Sequence, residues 1–216
     1  MTPPDEGEPA PGAVDATVLA ELGEIELWTT TATLGRGAHD AGRERLDRLS
    51  GSLHAAERMR ERAGRLAHPA YADFERQLGL DPAVPPTALE REAREVVVTG
   101  HLLSRDPSHD VQLAILAEVG VSLGALDARR TRGPWHVRPA ARGERWGRRG
   151  AAVPVGEVVM ADADGPVAPV VGDPPRGLGA GTRARRVVLY AIGVPGMPSW
   201  EVSEAVWRAA RYLSGH

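Results

Sequence analysis

Apolar positions along this chain recur at helical spacing in its first half and at strand spacing in most of its second. An early exception comes first: Ile25, Leu27 and Thr29 alternate with Glu24, Glu26 and Trp28 and run into a threonine-rich tail, which predicts a strand within 21–35. From His39 to Leu66 only Leu46, Leu49, Leu53 and Met59 form a thin apolar stripe among Arg, Glu and Ala, so a charge-laced exposed helix is expected, bent or broken at Gly51. Residues 69–80 put Tyr71, Phe74 and Leu78 on one side of a second helix that Gly79 can cap. Residues 81–86 read as a rigid connector. Another helix follows over 86–100, with Pro86 in its first turn and Gly100 past its end.

The stretch 104–138 turns most sharply. It reads as an apolar helix from Ser108 to about Glu118 capped by Ser104 or Ser108, a glycine-punctuated turn from Gly120 to Gly124, an acidic-then-basic segment from Asp127 to Arg132, and a strand opening at Pro134. Strands are then expected over 134–140, 155–163 and 165–171, the last two joined as a hairpin at Asp164-Gly165. A glycine-rich loop spans 173–183, and the short apolar run 185–194 reads as a buried strand. The closing helix, 198–213, takes Ser199 as N-cap and turns Trp200, Val202, Ala205, Val206, Ala209 and Leu213 inward. Helices early and strands late, without β-helix-β alternation, give an α+β fold: an antiparallel sheet flanked by helices, helix-rich in its N-terminal half and strand-rich in its C-terminal half. Residues 1–15, acidic and proline-rich, are expected to be a disordered tail, leaving 16–216 as a single domain.

Composition removes chemistry more than it adds. The 216 residues include no Cys, Lys or Asn, which excludes disulfides, thiolate metal sites, cysteine nucleophiles, Schiff-base catalysis and a P-loop lysine. With 4% aromatics, the core must be built of Val, Leu, Ala and Ile. No run has the apolar length of a membrane span, and the start lacks the basic and apolar regions of a signal peptide; a cytoplasmic protein without a membrane partner is expected.

The net charge of −3 hides a local basic block. Arg129, Arg130, Arg132, Arg142 and Arg145, interleaved with Trp135 and Trp146, fit an RNA-contacting surface, because guanidinium groups bind phosphates and indoles stack on unpaired bases. A solvated rim in an arginine-biased composition explains the block equally well. His101, Ser104, His109 and Asp110 contain the residue types of a Ser/His/Asp triad, but helix capping accounts for the serines as readily. A metal site from His101, His109, Asp110 and His136 lacks the i, i+4 histidine spacing of a zinc helix, so no metal and no cofactor is expected. The GLGAGT loop (177–182) precedes a strand and has no lysine; it is not a nucleotide cradle, although its amides are available as oxyanion donors.

Taken in order, Phe74 with the Gly79-Leu80-Asp81-Pro82 turn, Asp110-Val111, the glycine turn, Asp127 with Arg129, and Gly156-Glu157-Val158-Val159 with Asp162 resemble the B3/B4 domain. This is the editing module of the phenylalanyl-tRNA synthetase beta subunit, and free-standing proteins carry it alone. The likeness covers about residues 70–194. It implies a six-stranded antiparallel sheet flanked by helices, and a pocket lined by Asp110, Gln112, Ser122, Gly124 and Thr182. The chain departs from the family pattern at Leu113 (usually Asn), Gly124 (histidine in the synthetase), the segment 169–175 and Ile192 (often acidic). The function implied is hydrolysis of the ester of a mischarged tRNA, whose aminoacylated 3′ end is the expected partner. The alternatives are a non-catalytic binder of amino acids or aminoacyl-nucleosides, and a transferase using aminoacyl-tRNA as acyl donor.

Overall fold

The structure, a computed structural model, describes residues 7–51, 65–99 and 101–215. Its elements run β1 (Ala10–Pro11), β2 (Ala13–Val14), α1 (Ala16–Leu22), β3 (Glu26–Thr33), α2 (Ala38–Ser50), α3 (Pro69–Gln77), α4 (Ala88–Thr99), α5 (Pro107–Val119), β4 (Leu123–Asp127), β5 (His136–Pro139), β6 (Val158–Asp162), β7 (Gly165–Pro169), β8 (Arg186–Gly193) and α6 (Ser199–Ser214). The fold is α+β, with antiparallel sheet flanked by helices.

Two four-stranded sheets replace the single six-stranded one implied by the resemblance. The first has the order β1-β3-β8-β4 and is antiparallel throughout; the second has the order β2-β5-β6-β7, with β2 and β5 parallel and the rest antiparallel. The division into a helical and a strand half is not clean either. β3 sits between β1 and β8 in the first sheet, and α6 closes the chain.

The tail expected over 1–15 is corrected for its described part. β1 pairs with β3, β2 pairs with β5, and the Asp15 carboxylate caps α1 by accepting from Thr17 N at 2.8 Å. Two-residue strands carry little sequence signal, but their backbone groups find partners on edges already formed. Gly12 makes the crossing from one sheet to the other. Its N–H donates to Leu27 O at 2.7 Å, and a Cβ there would lie 2.5 Å from Leu27 Cδ2.

β8 is the spine of the core. Its period-2 alternation sends Val188, Tyr190 and Ile192 into one apolar cluster and Val187, Leu189 and Ala191 into another. α5 is apolar on every side for the same reason: Leu113 and Leu116 face the first cluster, Val111 and Ile115 the second. α6 covers the second through Val202, Ala205, Val206, Ala209 and Leu213, as its pattern predicts, whereas Trp200 is 64% exposed. Tyr71 and Phe74 are buried on α3, Leu78 is half-buried, and the Asp164-Gly165 hairpin joins β6 to β7 as expected. The helix expected over His39–Leu66 ends at Ser50 with Gly51 at its C-cap; residues 52–64, with Leu53 and Met59, lie outside the described residues.

Capping differs from expectation at two helices. α5 is capped by Asp106, whose Oδ1 accepts from Ser108 N and His109 N at 3.1 Å each, with Pro107 in the first turn. Neither Ser104 nor Ser108 does this. Replacing Asp106 by alanine is expected to cost about 0.5–2 kcal/mol in urea unfolding, as loss of an N-cap does. Ser199 donates to Glu26 Oε2 at 2.5 Å rather than capping α6, whose cap position is Pro198.

Candidate functional site

Between α3, the start of α4, α5 and the β4–β8 face lies a hollow of about 70 Å³. Gln112, Ser122 and Gly124 share its lining, so three of the five pocket residues expected from sequence come together. Gln112 reaches it from α5, its Nε2 donating to Ser108 O one turn back at 2.8 Å. Ser122 and Gly124 arrive at the start of β4, where a turn was expected and a strand is found, with Gly124 opposite Tyr190 in the register. That pairing explains the glycine: a Cβ on Gly124 would lie 2.1 Å from Tyr190 Cζ, because the phenol lies flat across the strand.

Asp110 and Thr182 do not belong to this hollow. Two residues along a helix is about 200° of turn, so Asp110 points away from the side Gln112 occupies and lines a separate cleft between α2, α5 and α6. Thr182 is exposed. The glycine-rich loop is held to the free edge of β4 by Asp127 N to Leu178 O at 2.9 Å and Ala180 N to Ala125 O at 2.8 Å, which carries Thr182 beyond the hollow and occupies amides expected to serve as oxyanion donors. Asp173 and Pro174, from the start of the same loop, line the hollow instead. Asp173 also caps α4 from a distance, accepting from Ala88 N at 2.9 Å.

The charged wall of the hollow was not found by sequence reading. Arg65 donates to both oxygens of Glu75, at 2.6 and 2.8 Å, and to Glu90 Oε2 at 2.7 Å. All three side chains are at least nine-tenths buried. Ser122 lines the hollow beside Glu90 and lowers its pKa. Burial pushes the Glu90 carboxyl above the usual carboxylate range, with Arg65 pulling it the other way. The available signal was a carboxylate inside an apolar stripe: Glu75 stands four residues after Tyr71, on the face that packs into the core.

Two buried phenols complete the lining. Tyr71 donates to Ile192 O at 3.0 Å. Tyr190 is 5% exposed and its hydroxyl has no hydrogen-bond partner among the described residues. Burial raises the pKa of both.

The Ser/His/Asp set does assemble, but not as a nucleophile with its base. Ser104 donates to Asp110 Oδ2 at 2.7 Å, while His109 Nδ1 meets Asp110 Oδ1 at 3.2 Å and its Nε2 meets Glu92 at 3.2 Å. The serine therefore contacts the acid rather than the imidazole. Arg105 N also donates to Asp110, at 2.8 Å. Burial lowers the pKa of His109, but the hydrogen bond to Asp110 and the Glu92 charge outweigh it and raise the value; hydrogen bonds from His109, Ser104 and Arg105 N hold Asp110 low against its own burial. This network ties α4 to the start of α5, and His39 Nδ1 on α2 lies 3.6 Å from Asp110 Oδ2. Among the described residues, no three His, Asp or Glu are grouped to hold a metal ion.

Of the expected RNA-contacting residues, Arg129, Arg130, Arg132 and Trp146 line an open groove of about 780 Å³, joined by Arg148, Arg149 and Arg176. Trp135 packs half-buried against the core instead, and Arg145 donates to Gly150 O at 3.1 Å; neither lines the groove, nor does Arg142. Trp135 precedes β5, and Arg142 and Arg145 sit in the turns that follow it. Arg129 is bonded to Asp127 at 3.0 Å, and Arg132 and Arg148 share Asp164 at 3.5 and 3.2 Å. Arg149 and Arg176 have no ion-pair partner among the described residues, so the groove is strongly cationic. One loop separates the two features: Asp173 and Pro174 line the hollow, and Pro175 through Leu178 line the groove.

Among the described residues no helix is long and apolar enough to cross a membrane. Searches with protein-family models and against curated proteins give no match to this chain.

Proposed function

We propose that the chain hydrolyses the ester of an aminoacylated tRNA, holding the acyl group in the hollow and the 3′ strand along the groove. The observation that carries this reading is the adjacency of a small hollow and a cationic groove across the single loop 173–178. Guanidinium groups along a channel bind a phosphate backbone without regard to sequence, and a tRNA 3′ end presents its ester just beyond such a backbone. The resemblance to the B3/B4 domain points the same way.

No nucleophile–base pair lines the hollow, so water attacks. Its oxygen bonds to the acyl carbon, the carbon–oxygen bond to the ribose breaks, and the proton ends on the departing ribose oxygen. The free Tyr190 hydroxyl is the donor available to the carbonyl oxygen as negative charge gathers there. A neighbouring ribose hydroxyl of the substrate relays the proton. Positioning supplies the rest.

With a panel of mischarged tRNAs, one ester is expected to decay far faster than in buffer, and Tyr190→Phe is expected to slow that decay by roughly 10²-fold, the cost of one lost oxyanion donor. Half-lives unchanged from buffer across the panel would remove the reading. A second reading, a binder of aminoacyl-nucleosides without hydrolysis, is favoured by one feature: among the described residues, Ser122 lines the hollow with no histidine or lysine beside it to act as its base. Binding without ester loss would establish it.

A further inference from the structure

We infer that the hollow selects an acyl group carrying a free ammonium, held by Glu90, and turns away its N-acylated counterparts. This deepens the ester-hydrolysis reading and rests on it for the nature of the ligand. The argument begins with charge. One guanidinium is divided between two carboxylates, so with both of them ionised the Glu75–Arg65–Glu90 group has one negative charge more than it has positive.

The division is unequal. Glu75 takes a two-pronged contact from both terminal nitrogens of Arg65, whereas Glu90 receives a single bond from a nitrogen already shared. Glu90 is therefore the less compensated carboxylate. It stands in the wall of the hollow, 7% exposed, where water cannot screen it fully. A buried anion in this position is stabilised by a cation that enters the hollow.

A second, independent group points to a ligand in the same place. The Tyr190 side chain is 5% exposed and lines the hollow, and its hydroxyl has no hydrogen-bond partner among the described residues. A hydroxyl without a protein partner at the wall of a small hollow is free to donate to an acceptor that enters it. One small hollow thus presents a carboxylate seeking a donor and a hydroxyl able to donate. An α-aminoacyl group matches both, since a single carbon separates its ammonium from its carbonyl. A metal ion fits less well, because Glu75 is already saturated by Arg65 and no grouping of three ligands is present among the described residues. N-acylation removes the charge and adds bulk where Glu90 stands.

The test uses the full chain and hydrolysis-resistant probes: 3′-(L-aminoacylamino)-3′-deoxyadenosines, each paired with its N-acetyl derivative, measured by titration calorimetry. The amine-bearing member is expected to bind roughly 10- to 100-fold more tightly, the range of a hydrogen bond to a charged group. Glu90→Gln, checked for folding by its melting curve, is expected to bring both members of a pair to similar affinity. Should that variant fail to fold, the comparison within each pair on the unaltered protein decides alone. Equal affinities within pairs, or binding of neither member, overturns the inference. Preference for the amine with no loss of any tRNA ester sinks the hydrolytic reading while the inference stands. Equal hydrolysis of N-blocked and free aminoacyl-tRNA does the reverse.

Discussion

Replacing Arg65 with methionine is expected to destabilise the protein by about 3–5 kcal/mol at neutral pH, the cost of removing one partner from a buried ion pair. The guanidinium is 10% exposed and is bonded to Glu75 and Glu90, themselves 4% and 7% exposed. Without it two carboxylates face each other in a dry site. Replacing all three residues with apolar ones of similar volume is expected to recover most of the loss, because the penalty lies in the unpaired charges.

The pH dependence has a definite sign. Folding raises the Glu90 pKa, so folding favours its protonated form. The associated stability is complete below the unfolded value of about 4.3 and is lost as pH rises through the folded value. Loss of Arg65 drives the folded value further up. The gap between Arg65→Met and the unaltered protein should therefore be widest near pH 7 and narrow as pH falls toward about 5. Urea midpoints across that range measure it; a gap that widens on acidification would show that these carboxylates are not the source.

Gly124→Ala is expected to cost about 1–3 kcal/mol, as overpacking does in a filled core. The added methyl would lie 2.1 Å from Tyr190 Cζ and 2.4 Å from its hydroxyl oxygen, and a ring 5% exposed has little room to retreat. In a Tyr190→Ala background the same substitution should cost far less, so a double-mutant cycle in urea isolates the contact. Additive losses would mean that the phenol does not lie across the strand. Because the ring is also a wall of the hollow, Gly124→Ala should weaken ligand binding even where the fold survives.

Much of the architecture was readable from local pattern. The alternation in 187–193, the Asp164-Gly165 turn and the inward face of α6 each follow from a period that one element imposes on itself. Gln112, Ser122 and Gly124 were expected to share a pocket, and all three line one hollow. Thr182 and Asp110, expected with them, do not, for different reasons. Thr182 depends on where a loop is pinned by bonds to β4, and Asp110 on which side of an all-round apolar helix faces which neighbour. An apolar helix offers no moment by which to choose a side.

The sequence by itself determined the residue chemistry and the periods: no thiol, no lysine, strands and helices in this order, an arginine block after Asp127. Only the tertiary structure decided that part of the block lines the groove and part does not, that the strands divide into two sheets, and that Arg65 pairs with Glu75 and Glu90 behind the hollow those two carboxylates line. The physical reason is separation along the chain. Hydrogen-bond periodicity acts over a few residues, whereas a charge held by partners 10 and 25 positions away is fixed only when the helices carrying them pack.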